Sequence, residues 1–140
     1  MRFSFANTGG DGCHFSFVAL PGQHRIEERP VVRTAPAGAG GCTRESANVL
    51  VGETLWEFLG LGLRTGFFVL EMLPCRLDGF LAEYPDRDPL PTAGDTHQPE
   101  LHALAEQFGL VGWGRGAIRP RLAELRERYF PQLVFGPDIT

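Results

Sequence analysis

The residues able to do chemistry in this chain form a short inventory. It comprises three cysteines (Cys13, Cys42, Cys75), four histidines (His14, His24, His97, His102) and the stretch FANTGGDGCHF at positions 5–15. A phosphate-binding loop needs GxxxxGK[ST] or GxGxxG between a strand and a helix. Gly9, Gly10 and Gly12 lie instead between two strand-like runs, so spacing and context both fail. A calcium loop needs alternating oxygen ligands closed by a bidentate Glu, and Asn7, Thr8 and Asp11 are followed by none. For zinc, the adjacent Cys13 and His14 point to opposite sides of a strand, and the other cysteines and histidines show neither CxxC nor HxxxH spacing. The expectation is therefore no metal and no cofactor. Cys13 could pair with His24 or His102 as a thiolate, but a thiol on an apolar strand face is ordinarily inert packing. All 13 cationic side chains are Arg, which excludes lysine Schiff bases and the Lys-dependent P-loop. No catalytic residue emerges, and the chain reads as a non-enzyme.

The elements that carry these residues follow from periodicity. Phe3 and Phe5, then Cys13, Phe15, Phe17 and Ala19, alternate with polar or smaller neighbours, the period of half-buried strands. The NTGGDG between them tolerates positive φ and ends in Asp-Gly, so its glycines are read as bending a hairpin. PVVRTAP and NVLVG supply two further strands through Val31, Val32, Val49 and Val51. AGAGGCTRESA between them is a small-residue loop.

After Gly52 the period becomes helical. ETLWEFLGLGLRTG presents Leu55, Phe58, Leu59 and Leu63 as one stripe, with Gly66 as its stop and Trp56 expected inside beside it. FFVLEML fits a helix or a buried strand. CRLDGFLAEY is helical and PDRDPLPTAGDTHQP is a surface loop. PELHALAEQFG predicts an amphipathic helix with Leu101, Leu104, Ala105 and Phe108 on its buried face. RPRLAELRERYFP predicts another, started by Pro120, with Leu122, Leu125 and Tyr129 inward and a Glu124–Arg128 pair outward. Trp113, in GWGRG, is expected in the core. Strands first and helices later indicate one α+β domain over residues 1–140: an N-terminal antiparallel sheet of about four strands, then C-terminal helices.

Composition bounds the partners. The 140 residues are 43% apolar, enough for one core, and the net charge of −4 argues against nucleic acid. The tract from Leu55 to Leu73 contains Glu57, Arg64 and Glu71, each costing on the order of 3 kcal/mol at a bilayer centre, so no membrane span is expected. MRFSFANTGG has no apolar run of signal-peptide length, and the expected location is the cytoplasm. Three widely spaced cysteines suit reduced thiols.

ANTGGDGCHFSF, followed by PVVRT and by a strand running into EFLGLGLRTGFF, resembles the SUKH superfamily of cell-wall-assembly regulators and bacterial immunity proteins over residues 3–73. The resemblance implies an α+β fold, an N-terminus shortened relative to the family, no catalytic triad, and neutralisation of a partner toxin. In that reading Gly9, Gly10, Asp11 and Gly12 shape the sheet, while Phe58 and Leu59 dock the following helix. A protein partner is then expected, met through an acidic surface. Glu27, Glu28, Asp86 and Asp88, in loop-like segments, are the candidate contacts. The alternative is a small enzyme or ligand-binding domain using Cys13, His14 or Asp11 in a pocket between the hairpin and the LWEFLGLG helix.

Overall fold

Aromatic alternation on either side of Asp-Gly produces the hairpin from which the fold is built. The computed structural model describes residues 2–7, 12–20, 22, 25–35, 47–73, 76–84 and 98–133. Strand β1 (Arg2–Asn7) pairs antiparallel with β2 (His14–Val18), and Gly12 takes φ +83°, the left-handed conformation the turn residue was expected to supply. The register shifts between Ser4 and Ala6, which leaves Phe5 as the extra residue of a bulge. A 3₁₀ turn at Ile26–Glu28 leads into β3 (Val31–Thr34), and β4 (Asn48–Gly52) completes a four-stranded antiparallel sheet in the order β1-β2-β3-β4. The α+β reading holds, with the sheet first and the helices after it.

Helix α1 (Leu55–Gly62) begins at Thr54, whose hydroxyl accepts from the Glu57 N–H at 3.2 Å, while the Glu57 carboxylate accepts from the Glu53 N–H at 2.8 Å. Its run ends where Gly66 turns to φ +81° with its N–H on the Gly62 carbonyl. The ambiguous FFVLEML resolves into a 3₁₀ helix at Phe68–Met72. Helices α2 (Leu77–Glu83), α3 (Gln98–Phe108) and α4 (Arg115–Tyr129) follow. Among the described residues no helix is long and apolar enough to cross a membrane.

Strands β2 to β4 are packed on both faces of the sheet, while Ser4, Phe5 and Ala6 of the edge strand β1 are exposed. One face sets Phe15, Phe17, Val31, Val49 and Val51 against Phe58, Leu61, Leu70, Leu73, Phe80 and Tyr84. The other sets Val18, Val32 and Leu50 against Leu125, Tyr129 and Leu133. Each large apolar side chain fully buried this way contributes about 1.5–3 kcal/mol. Helix α4 supplies Ile118 and Leu122 to the first cluster and Leu125 and Tyr129 to the second, so it ties the two faces together.

Three sequence expectations about helices are corrected. Pro120 does not start α4; the helix begins five residues earlier at Arg115. The Arg115 guanidinium anchors that start on the Tyr84 carbonyl (3.1 and 2.6 Å), and the extra turn carries Ile118 into the core. Trp56 is 43% exposed, because it stands one residue off the inward stripe of α1. Phe108 is 46% exposed at the end of α3, outside the buried face on which it was expected. The Glu124 and Arg128 side chains engage Arg121 and Glu53 respectively.

Candidate binding surface

Two large rings that the fold leaves outside meet each other. Trp56, on the second residue of α1, lies against Phe108, the last residue of α3, with ring centroids 5.4 Å apart and planes tilted by 34°. Gly109 follows at φ +61° and turns the chain, with the Leu110 N–H on the Ala105 carbonyl at 3.0 Å. The connector then crosses α1 at Gly60, one helical turn beyond Trp56 on the same side. A Cβ at Gly60 would lie 2.5 Å from the Val111 carbonyl oxygen, so only glycine admits this approach. Val111 is left 77% exposed next to that crossing. Trp56, Phe108 and Val111 are thus large apolar side chains presented outward from one junction of α1, α3 and the connector.

The junction is held by polar bonds. The Trp113 indole donates to the Glu57 carbonyl at 2.9 Å, and the Tyr84 hydroxyl donates to the Trp113 carbonyl at 2.9 Å. Trp113 packs on both clusters, in keeping with the core position expected of it. Arg121 binds Glu57 and Glu53 at about 3 Å and reaches Glu124 at 2.9 Å. Burial opposes the Arg121 charge, yet the hydrogen bonds to Glu53, Glu124 and Glu57 outweigh it and raise the pKa. The Tyr129 hydroxyl donates to Glu53 at 2.8 Å and, with Arg121 and Arg128, holds the Glu53 carboxyl below its usual value. This clamp secures the N-terminus of α1 to α4.

Of the four acidic contacts expected from sequence, Asp86 and Asp88 lie outside the described residues. Glu27 and Glu28 sit on the 3₁₀ turn, where Glu28 is exposed and Glu27 is half-buried against Arg25 at 2.6 Å. A backbone hydrogen bond and the Arg25 contact hold the Glu27 carboxyl ionised below the ordinary range.

Where the hairpin meets α1 the space is filled by rings: Phe5 on Phe17 (4.4 Å), Phe15 on Phe58 (4.8 Å) and Phe58 on Phe67 (5.3 Å). Cys13 is buried, while His14 is half-buried with its imidazole Nδ1 donating to the Gly12 carbonyl at 3.1 Å. Asp11, His24, Cys42, Cys75 and His97 lie outside the described residues.

A buried charge in the core was not singled out from sequence. Arg33, in the middle of PVVRT, is wholly buried between its register partners Phe15 and Val49. Its Nη1 donates to the Ala47 carbonyl at 3.2 Å, whereas Nε and Nη2 meet no acceptor among the described residues. Burial draws its pKa down from the ordinary guanidinium value, with Cys13 and Glu71 supporting its charge through their fields. An arginine at alternate spacing to Val32 and Thr34 looks like the solvent side of a strand, and only the coverage of both sheet faces makes it a core residue.

No family model, no curated protein and no solved structure matches the chain.

Proposed function

We propose that this chain is a non-enzymatic binding protein that neutralises a partner protein by stoichiometric occlusion, as an immunity protein of the SUKH kind would. The observation that carries the reading is the outward Trp56–Phe108 pair with Val111 beside it. Aromatic side chains held rigidly at a surface supply large contact area at small entropic cost, which is why they dominate binding hot spots. The partner's chemistry follows from charge. With a net charge of −4 and Glu27 and Glu28 on the surface turn, the chain favours a partner whose binding face carries a basic rim. Asp86 and Asp88 complete the proposed acidic set.

The mechanism separates into two parts. Acidic side chains steer encounter and set the on-rate, while the rings set the lifetime of the complex once water is excluded around them. Occlusion requires no bond to be made or broken in either protein.

The test is co-purification with the product of the adjacent gene, followed by titration calorimetry. A one-to-one complex is expected, with Trp56→Ala and Phe108→Ala each weakening it by roughly 30-fold, the scale of a hot-spot truncation. Charge reversal at Glu27, Glu28, Asp86 and Asp88 should slow association and reduce its salt dependence. Absence of a complex, or ring variants that bind like the wild type, would sink the proposal.

A further inference from the structure

A cavity of about 200 Å³ opens between β4, α4 and α2 and shares no residue with the outer rings. We propose that it binds a small carboxylic acid with a compact apolar body, of the size of an arylacetic acid, the body on the cavity floor and the carboxylate on Arg126.

The cavity follows from how α4 crosses the sheet. β4 is an edge strand, and α4 gives Leu122 to the cluster on one face and Leu125 to the cluster on the other. Val49 and Leu122 of the first cluster and Leu50 of the second all line the cavity, which therefore lies on the seam between them. Leu77 and Ala123 complete an apolar floor. A dry cavity of about 150 Å³ walled by aliphatic side chains takes up a benzene molecule, so this volume suits a ring with a short substituent and is too small for a long acyl chain.

The rim supplies the charge. Arg119 and Arg126 flank Leu122 and Ala123 along the one side of α4 that lines the cavity. The residues three and four positions from Arg126 are Leu122, Ala123, Tyr129 and Phe130, so its own helix sets no carboxylate beside it. Arg119 is answered by Asp78 from α2. Arg126 meets no carboxylate among the described residues; its guanidinium lies over the Phe130 ring, 4.1 Å from the centroid. Stacking uses the flat face of a guanidinium and leaves its in-plane N–H fork for a bidentate acceptor.

Two requirements then select the ligand. Phosphate would meet the fork but leave the apolar floor uncovered, whereas a hydrocarbon would cover the floor and leave the fork unused. A cation finds no carboxylate among the described residues of the wall, and the polar wall residue Asn48 has its Oδ1 on the Thr34 hydroxyl at 2.9 Å. The site does not depend on the proposed occlusion of a protein partner, and either can fail without the other.

Titration of the nitrogen-labelled full chain, followed by amide chemical shifts, tests the site with three probes. Phenylacetate should shift the amides of Val49, Leu50, Leu122 and Ala123 along saturable curves. Acetate, which lacks the ring, and phenethylamine, which carries the ring with the opposite charge, should not. Arg126→Gln should weaken phenylacetate by roughly tenfold, the scale of one hydrogen bond between charged groups. Ala123→Leu, which fills the cavity, should abolish binding. Both positions are exposed, so both variants keep the fold. No saturable shift with phenylacetate, an equal response to acetate or phenethylamine, shifts confined to the surroundings of Trp56 and Phe108, or unchanged affinity in either variant would each overturn the assignment.

Discussion

The indole N–H of Trp113 and the backbone carbonyl of Glu57, 56 positions apart in the chain, are joined by a 2.9 Å hydrogen bond that fastens the α3–α4 connector onto α1. The close approach at Gly60 depends on the same fastening, because the Val111 carbonyl occupies the place of a Cβ. Gly60→Ala should therefore destabilise the fold by about 1–3 kcal/mol through overpacking, reversing the gain of roughly 1 kcal/mol that a helical glycine normally yields. A Cβ added at Gly116, inside α4, would meet open space out to 4 Å, and Gly116→Ala should stabilise by up to about 1 kcal/mol. Urea unfolding of the two variants, side by side, reads opposite signs.

Glu53 makes stability depend on acidity. Its carboxyl is held below the ordinary value of 4.5 by the Tyr129 hydroxyl first and by Arg121 and Arg128 after it, against the opposing effect of burial. Between the depressed folded value and 4.5 the unfolded chain binds more protons at this group than the folded one, so stability rises with pH there. The contribution is complete above 4.5 and is lost as pH falls through the folded value. Tm should drop more steeply on acidification in the wild type than in Glu53→Gln, and Tyr129→Phe should show an intermediate slope. Equal slopes in all three would show that the clamp carries no proton linkage.

The sheet and the order of the elements were legible because they rest on local signals: alternation in FSF and VVRT, Asp-Gly at the turn, and the glycine stop at Gly66. What escaped depends on which faces get covered. Trp56 and Trp113 are the same residue type, both in segments that pack on α1 or form it, and only the fold decides that one is 43% exposed while the other bonds Glu57. Arg33 escaped for the related reason that strand alternation assumes one wet face, and this sheet has none over β3. Of the acidic contacts read from sequence, the turn at Glu27 and Glu28 is described, and it pairs Glu27 with Arg25 in addition to presenting charge outward.

Neighbouring aromatics on α1 should behave oppositely under truncation. Phe58 is 2% exposed and touches Phe5, Phe15 and Phe67, so Phe58→Ala should cost about 3–5 kcal/mol. Trp56, two residues earlier, gives up its ring contact with Phe108, and Trp56→Ala should cost about 0.5–1.5 kcal/mol. Chemical denaturation of both variants measures the contrast. A loss at Trp56 as large as that at Phe58 would mean that the ring serves the fold and is no spare surface for a partner.

Pro120 is the sixth residue of α4, past the first turn where a missing N–H is harmless. Its ring faces the carbonyl of Gly116, and the hydrogen bond that an amide at 120 would give that carbonyl cannot form. The helix continues through it because both of its ends are fixed: Arg115 is tied to the Tyr84 carbonyl, and Leu122, Leu125 and Tyr129 are buried beyond it. Pro120 is itself exposed, so a smaller side chain leaves no cavity. Pro120→Ala should then stabilise the protein by about 1–2 kcal/mol: relief of a penalty of roughly 3 kcal/mol in a helix interior, reduced by the 0.4–1 kcal/mol that proline takes from the unfolded chain and by the nearness of the helix start. The variant should also slow amide exchange over residues 116–121, where the ladder of hydrogen bonds becomes continuous. An unchanged midpoint with unchanged exchange would indicate that the first turns of α4 are held by the Arg115 anchor alone.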